Sequence, residues 1–122
     1  MLFVDLARIE VTDEAGIAVV AMFGEHDMST AEAVAAQIDR LLDAGSRIVV
    51  DLAEARFVDS TVVGALVEGH RRASADGRDH DLAAVVTPRT PPQRTWNLLR
   101  LDERVPTFPT RREAIAAVNA NA

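Results

Sequence analysis

Two short polar segments carry most of the side chains in this sequence that could do chemistry. Residues 24–30 read GEHDMST and residues 57–61 read FVDST, so each segment combines an aspartate with hydroxyl side chains. Each follows an apolar run and precedes a pattern typical of an amphipathic helix. In open α/β sheets, the loops after the strands and the N-termini of the helices lie at one edge of the sheet. The sequence therefore predicts one polar site built from both segments.

The second segment indicates a place where a phosphate group could sit. Residues 59–61 (DST) could each cap the following helix, but the residues three positions later, 62–64 (VVG), cannot complete a capping box. We therefore expect free backbone N–H groups beside the hydroxyls of Ser60 and Thr61, at the positive end of a helix dipole. The simpler interpretation is that these residues are ordinary N-caps, and Asp27 can equally be an ordinary turn residue.

The chain lacks the usual arrangements for catalysis or metal binding. His26, His70 and His80 are predicted in a loop, a helix and another loop, without metal-site spacing. No residue is placed to act as a base for the Thr61 hydroxyl. A receiver-like phosphoryl transfer to Asp51 or Asp59 would normally need a lysine, and the sequence has none. We predict a protein with no catalytic residues, no metal and no cofactor.

Composition limits the size, compartment and partners of the protein. The 122 residues carry a net charge of -6 and no cysteine, which fits a single domain over residues 1–122 without disulfides. This acidity argues against nucleic-acid binding, which depends on clustered cations. Residues 1–7 are too short for a signal sequence or a membrane span, so we expect a cytoplasmic protein without membrane insertion.

Short strands alternate with amphipathic helices along the chain. Residues 8–11 and 17–23 are predicted as paired strands around a turn at 12–16, and Pro106 limits a strand at 105–108 to a sheet edge. Capping boxes are predicted at Ser29 with Glu32 and at Thr110 with Glu113. The other predicted elements are helices at 29–44, 60–75, after Pro91 and Pro92, and at 114–118, and buried strands at 47–52 and 82–86. This order predicts an α/β fold, with a mixed, mostly parallel sheet packed against about four α-helices.

Several of these motifs resemble the STAS domains of anti-sigma factor antagonists. Residues 48–52 (IVVDL), 57–61 (FVDST) and the next helix resemble the family pattern of a hydrophobic strand, Asp-Leu, a short loop and Phe-Ile-Asp-Ser-Ser-Gly-Leu-Gly. Residues 24–27 (GEHD) resemble its Gly-Glu-Leu-Asp, and residues 98–105 and 108–115 resemble its C-terminal region. The resemblance covers nearly the whole chain and implies a single STAS-type domain.

The resemblance also implies a function as a protein switch in bacterial transcription. Unmodified members bind an anti-sigma factor with serine/threonine kinase activity and so release a sigma factor; the kinase phosphorylates them and a phosphatase resets them. Motif alignment places the phosphoacceptor on Thr61, with Ser60 as the alternative. It places Asp27, Asp59, Ser60 and Gly64 near the phosphosite or the partner.

A second interpretation uses the same surface without phosphorylation. Residues 62 and 63 are valines where the family has Gly-Leu, while Gly64 is kept. A β-branched residue after the acceptor is expected to crowd the hydroxyl. This favours an accessory STAS subunit that docks constitutively on a membrane transport ATPase. Either protein could also form a homodimer.

Overall fold

The computed structural model describes residues 7–120, so the opening segment up to residue 6, interpreted above from its sequence, lies outside the described residues. Four α-helices and a mixed, mostly parallel sheet confirm the predicted α/β class. The elements are β1 (Arg8–Glu14), β2 (Ile17–His26), α1 (Met28–Asp43), β3 (Ile48–Asp51), β4 (Ala55–Val58), α2 (Ser60–Ala75), β5 (Leu82–Val85), α3 (Pro91–Leu98), a short 3-10 helix (Leu101–Glu103), β6 (Thr107–Phe108) and α4 (Arg111–Ala120).

The sheet separates two hydrophobic cores. Its main strand order is β1-β2-β3-β5-β6, in which only the β1–β2 pair is antiparallel. β6 lies at one edge, as Pro106 predicts. The larger core packs α1, α2 and Trp96 of α3 against one face, and α4 covers the other face through Ala114 and Val118. The central strands are buried on both sides, which explains why they read as continuous apolar runs.

The first hairpin is longer and its turn tighter than predicted. β1 and β2 stay paired from Arg8 with Phe23 to Glu14 with Ile17, which leaves only Ala15 and Gly16 as the turn. Both turn residues have positive φ, 56° and 79°, as a two-residue hairpin turn of the primed type requires. The predicted five-residue turn at 12–16 is therefore wrong.

The sequence pattern did not indicate β4. This strand determines where the helices that follow the two polar segments begin. β4 pairs in parallel with the last residues of β2, from Gly24 with Ala55 to His26 with Val58. This pairing extends β2 three residues beyond its predicted end at Phe23 and makes His26 a strand residue instead of a loop residue. The stretch between β3 and α2 is therefore not simply the predicted short loop.

The two predicted capping boxes have different outcomes. The box at Ser29 is wrong: α1 begins at Met28, and Asp27 is its N-cap. Before α4, the Thr110 hydroxyl accepts a hydrogen bond from the Glu113 amide at 3.2 Å, which is one half of the predicted box. Among residues 7–120, no helix is both long and apolar enough to cross a membrane.

Candidate functional site

The N-termini of α1 and α2 lie side by side because they follow neighbouring parallel strands. β2 ends at His26 and β4 ends at Val58, and these two residues are paired in the sheet. The Asp59 amide donates a hydrogen bond to the His26 carbonyl oxygen at 2.8 Å. The next residue in each case, Asp27 or Asp59, is the N-cap of its helix. The structure therefore brings the two polar segments together, as predicted.

Asp59 organises the start of α2 and holds the Thr61 hydroxyl. Its Oδ1 accepts hydrogen bonds from the Thr61 amide at 2.8 Å and from Thr61 Oγ1 at 2.9 Å. The predicted uncapped helix end is thus wrong, because an aspartate two residues before Thr61 caps the helix without a capping box. The Ser60 hydroxyl lies farther from Asp59 Oδ1, at 3.5 Å. Both hydroxyl residues are exposed, so either can be reached from solvent.

Asp27 makes the same arrangement at the start of α1. Its Oδ1 accepts hydrogen bonds from the Ser29 amide at 2.9 Å and from the Ser29 hydroxyl at 2.5 Å. These bonds lower the pKa of Asp27, and the bonds from Thr61 lower the pKa of Asp59. The charge of Asp27 acts in the opposite direction on the pKa of Asp59. Both carboxylates thus remain ionised at neutral pH: Asp59 in contact with the Thr61 hydroxyl, and Asp27 at the neighbouring helix start.

The buried His26 ring links the end of β2 to the first turn of α1 by hydrogen bonds. Its side chain is completely buried, with Nε2 2.9 Å from the Phe23 carbonyl oxygen and Nδ1 3.2 Å from Thr30 Oγ1. Because the carbonyl can only accept, Nε2 donates to it, and the neutral ring leaves Nδ1 as an acceptor. Burial lowers the pKa of His26 below its ordinary value of 6.5. This residue stands where the family pattern has leucine.

The buried His26 ring makes stability sensitive to mild acid. The unfolded chain binds a proton below about pH 6.5, whereas the folded ring resists protonation, so stability falls as the pH drops from 6.5 towards the lowered pKa of the folded ring. We expect the melting temperature of the wild-type protein to fall more between pH 7 and pH 5.5 than that of His26→Gln, which has no titrating ring. Parallel thermal melts at both pH values test this, and equal slopes would contradict it.

A groove lined by both polar and apolar residues begins at Ser60 and was not predicted from the sequence. It runs between α2 and the segment after α3, has a volume of about 310 Å³, and includes Ser60, Gly64 and Leu99. Gly64 lies on the exposed side of α2, and a side chain added there would meet no atom within 4 Å. Val62 and Val63 are buried in the core, so the predicted crowding of the Thr61 hydroxyl by these valines is not seen.

Large apolar side chains are exposed around the site. Within residues 7–120, five large hydrophobic side chains are exposed. Met28 (71%) and Phe57 (45%) belong to the two polar segments, and Leu98 (78%) and Leu99 (47%) are consecutive residues at the end of α3. Met28 and Phe57 are within two residues of the capping aspartates in the chain. Leu98 is the last residue of α3, and the next residue, Leu99, lines the groove. Helical periodicity could have revealed Leu98, since it lies off the face that buries Trp96.

The carboxylate considered for receiver chemistry is already occupied. Asp51 is buried, with Oδ1 accepting from the Ala53 amide at 2.8 Å and Oδ2 accepting from Arg111 Nε at 2.7 Å. Arg111 also bonds Glu14 at 2.7 Å. Among residues 7–120, no three His, Cys, Asp or Glu side chains are grouped as a metal site would require.

Several solved structures have a similar overall fold. The most similar structures include an anti-sigma factor antagonist from Mycobacterium paratuberculosis, with 28% identity over 94% of this chain and 96% of that chain and a TM-score of 0.83. A Thermotoga maritima protein has 21% identity over 91% and 94% of the two chains, with a TM-score of 0.78. The phosphorylated form of SpoIIAA from Bacillus has 22% identity over 93% and 99%, with a TM-score of 0.64.

The last two likenesses, below 25% identity, support the fold alone. A search of characterised protein sequences gives no significant match. The STAS domain family model, however, matches residues 8–114, which is most of the chain. The chain therefore belongs to the STAS domain family.

Proposed function

We propose that this protein is a cytoplasmic anti-sigma factor antagonist whose docking is controlled by phosphorylation of Thr61. In its unmodified form it binds an anti-sigma factor that has serine/threonine kinase activity, and so releases a sigma factor for transcription. The kinase transfers the γ-phosphoryl group of ATP to Thr61 Oγ1, which loses its proton, and ADP leaves. A phosphatase hydrolyses the phosphothreonine and returns the protein to the binding state.

One observation carries this proposal: the exposed, hydrogen-bonded Thr61 hydroxyl lies at a helix start whose adjoining polar segments expose large apolar side chains. A solvent-exposed Leu98 or Met28 contributes little to folding, whereas grouped apolar side chains on a surface are typical of protein-binding sites. Thr61 lies at the start of α2, four residues after the exposed Phe57, and the neighbouring Ser60 lines the same groove as the exposed Leu99. The 28% identity with an anti-sigma factor antagonist also supports it.

A phosphate on Thr61 would act on the partner more than on the fold. It adds about -1.5 to -2 charge. The end of α2 favours that charge by roughly 0.3 to 1 kcal/mol, while Asp27 and Asp59 oppose it. These small opposing effects leave the domain folded. At a partner interface, by contrast, like charges brought together can cost several kcal/mol, so exclusion of the partner is the larger effect.

Two backbone features of the groove also favour partner binding over stability. Gly64 is an exposed helical glycine, which costs roughly 0.5–1 kcal/mol relative to alanine. Arg100, between Leu99 and Leu101, has left-handed backbone angles (φ 51°, ψ 46°) that cost a non-glycine residue roughly 1–2 kcal/mol. Here the family more often has glycine. We infer that Gly64 leaves room for the partner and that the Arg100 side chain contacts it.

Phosphate mapping tests the assignment of the acceptor. The protein is incubated with candidate anti-sigma kinases and ATP, and the modified residue is identified by mass spectrometry. We expect one phosphate on Thr61, no labelling of Thr61→Ala, and normal labelling of Ser60→Ala. Labelling that persists in Thr61→Ala but disappears in Ser60→Ala would move the acceptor to Ser60. Absence of labelling by every kinase that binds the protein would contradict the switch.

A further inference from the structure

In the described part of the chain, one edge strand of the sheet is long enough to accept another strand. β1 is at the end of the strand order, and within residues 7–120 it pairs only with β2. The opposite edge strand, β6, has only two residues and is followed directly by Pro109. Short edge strands with flanking prolines resist pairing. β1, by contrast, has seven residues and no proline.

The pattern of hydrogen bonds determines which backbone groups of β1 face outward. The Ala18 amide donates to the Arg47 carbonyl oxygen, on the β3 side of β2. Alternate residues of a strand bond opposite neighbours, so the odd-numbered residues of β2 face β1. The β1–β2 register then assigns the even-numbered residues of β1 to β2. The N–H and C=O groups of Ile9, Val11 and Asp13 therefore point away from the sheet.

We propose that this edge pairs with the same edge of a second copy of the chain, antiparallel and centred on Val11. The three outward-facing residues then bond each other across the two-fold axis: Val11 faces Val11, and Ile9 faces Asp13 of the second copy. Val11 is 37% exposed and is the fifth of the exposed large hydrophobic side chains, the one that lies outside the candidate site. Pairing covers this side chain.

Charge favours this register over the two registers that are shifted by one residue, centred on Glu10 or on Thr12. Within one copy, Arg8 pairs with Glu10 and Glu14 pairs with Arg111. Centred on Val11, the pairing adds a favourable cross-strand contact to these, because it places Arg8 opposite Glu14 of the second copy at both ends of the ribbon. Centred on Glu10, it places two glutamates face to face. Centred on Thr12, it places Glu10 opposite Glu14. Both alternatives oppose like charges, which destabilises a strand pair.

This dimer is independent of the proposed switch. The β1 edge is at the end of the sheet, while Thr61 lies beyond the carboxyl end of β4. A two-fold pairing through β1 therefore extends the sheet across both copies and leaves each docking surface open.

Cysteine cross-linking tests the register directly, since the chain has no cysteine of its own. In a hydrogen-bonded antiparallel pair, the two Val11 Cα atoms would be about 5.5 Å apart, within the range that a disulfide spans. Two copies of Asp13 would be about 13 Å apart, four residue steps along the strand. We expect Val11→Cys to form disulfide dimers at least about tenfold faster than Asp13→Cys or the remote, exposed Leu98→Cys. Equal rates in all three would overturn the proposal.

Sedimentation of the full chain tests the dimer without a cross-link. The wild-type mass should rise with concentration from 13.2 kDa towards twice that value. Val11→Lys places two like charges on the axis and should weaken self-association by about tenfold or more, whereas Leu98→Lys, with the same added charge, should not. A wild-type monomer at every concentration would overturn the proposal.

Discussion

Thr61→Glu is expected to weaken binding of the anti-sigma partner by about a hundredfold while leaving the fold intact. The glutamate places a permanent negative charge at the start of α2, beside Asp27 and Asp59 and within the exposed apolar surface. A penalty of about 3 kcal/mol from like charges at an interface corresponds to roughly this loss of affinity. Isothermal titration with the kinase that labels the wild-type protein measures it.

Thr61→Gln is the matched control for this variant. Glutamine has nearly the same size as glutamate and also removes the threonine hydroxyl, but it is uncharged. If charge is the cause, Thr61→Gln binds within a few fold of the wild-type protein and only Thr61→Glu loses the partner. Equal losses in the two variants would instead assign the effect to the lost hydroxyl or to shape.

Among the single substitutions discussed, Arg111→Met is expected to cause the largest loss of stability. Arg111 joins α4 to the buried Asp51 at the end of β3 and to Glu14 at the end of β1. Removing one partner of a buried ion pair costs about 3–5 kcal/mol, and the 37% exposure of the Arg111 side chain reduces our expectation to about 2 kcal/mol. This corresponds to a melting temperature lower by about 8 °C for a domain of this size.

Two further variants isolate the cause of that loss. Arg112→Met removes the exposed neighbouring arginine and should change stability by less than about 0.5 kcal/mol. Adding Asp51→Asn to Arg111→Met should recover part of the loss, because the amide oxygen can still accept from the Ala53 amide and no buried charge remains unpaired. Identical melting of Arg111→Met and Arg112→Met would contradict a structural role for the Asp51–Arg111 pair.

The elements with strong local patterns could be predicted from the sequence. The helix at Ser60–Ala75 has the predicted bounds, and Val34, Ile38, Leu41 and Leu42 are the buried face of α1, because a 3.6-residue apolar period is encoded locally. The central strands were recognised for a similar reason: burial on both faces requires continuous apolar residues.

The errors at the end of β2 and the start of α1 have one common physical origin, the pairing of β4 with β2. β4 has four residues, two of them exposed, so its sequence gives little strand signal. Because this long-range pairing continues β2 to His26, it moves the start of α1 and makes Asp27 the cap in place of Ser29. Both residue types are good caps, and only the tertiary pairing decides between them.

The sequence predicted the polar residues of the candidate site but not its exposed apolar residues. Asp27, Asp59, Ser60 and Thr61 come together because they follow paired parallel strands, which a sequence can indicate. The exposure of Met28, Phe57, Leu98 and Leu99 depends on which apolar residues the core leaves out. Apolar type alone does not reveal that, since the same residue types also fill the core.

The most direct test of the central claim compares one protein in two states. Wild-type protein is phosphorylated to completion on Thr61, and its affinity for the anti-sigma factor is measured beside that of the unmodified protein. We predict that the phosphorylated form binds about a hundredfold more weakly, and that phosphatase treatment restores binding. Equal affinities would contradict the switch and would favour constitutive docking, as in a transport-ATPase accessory subunit.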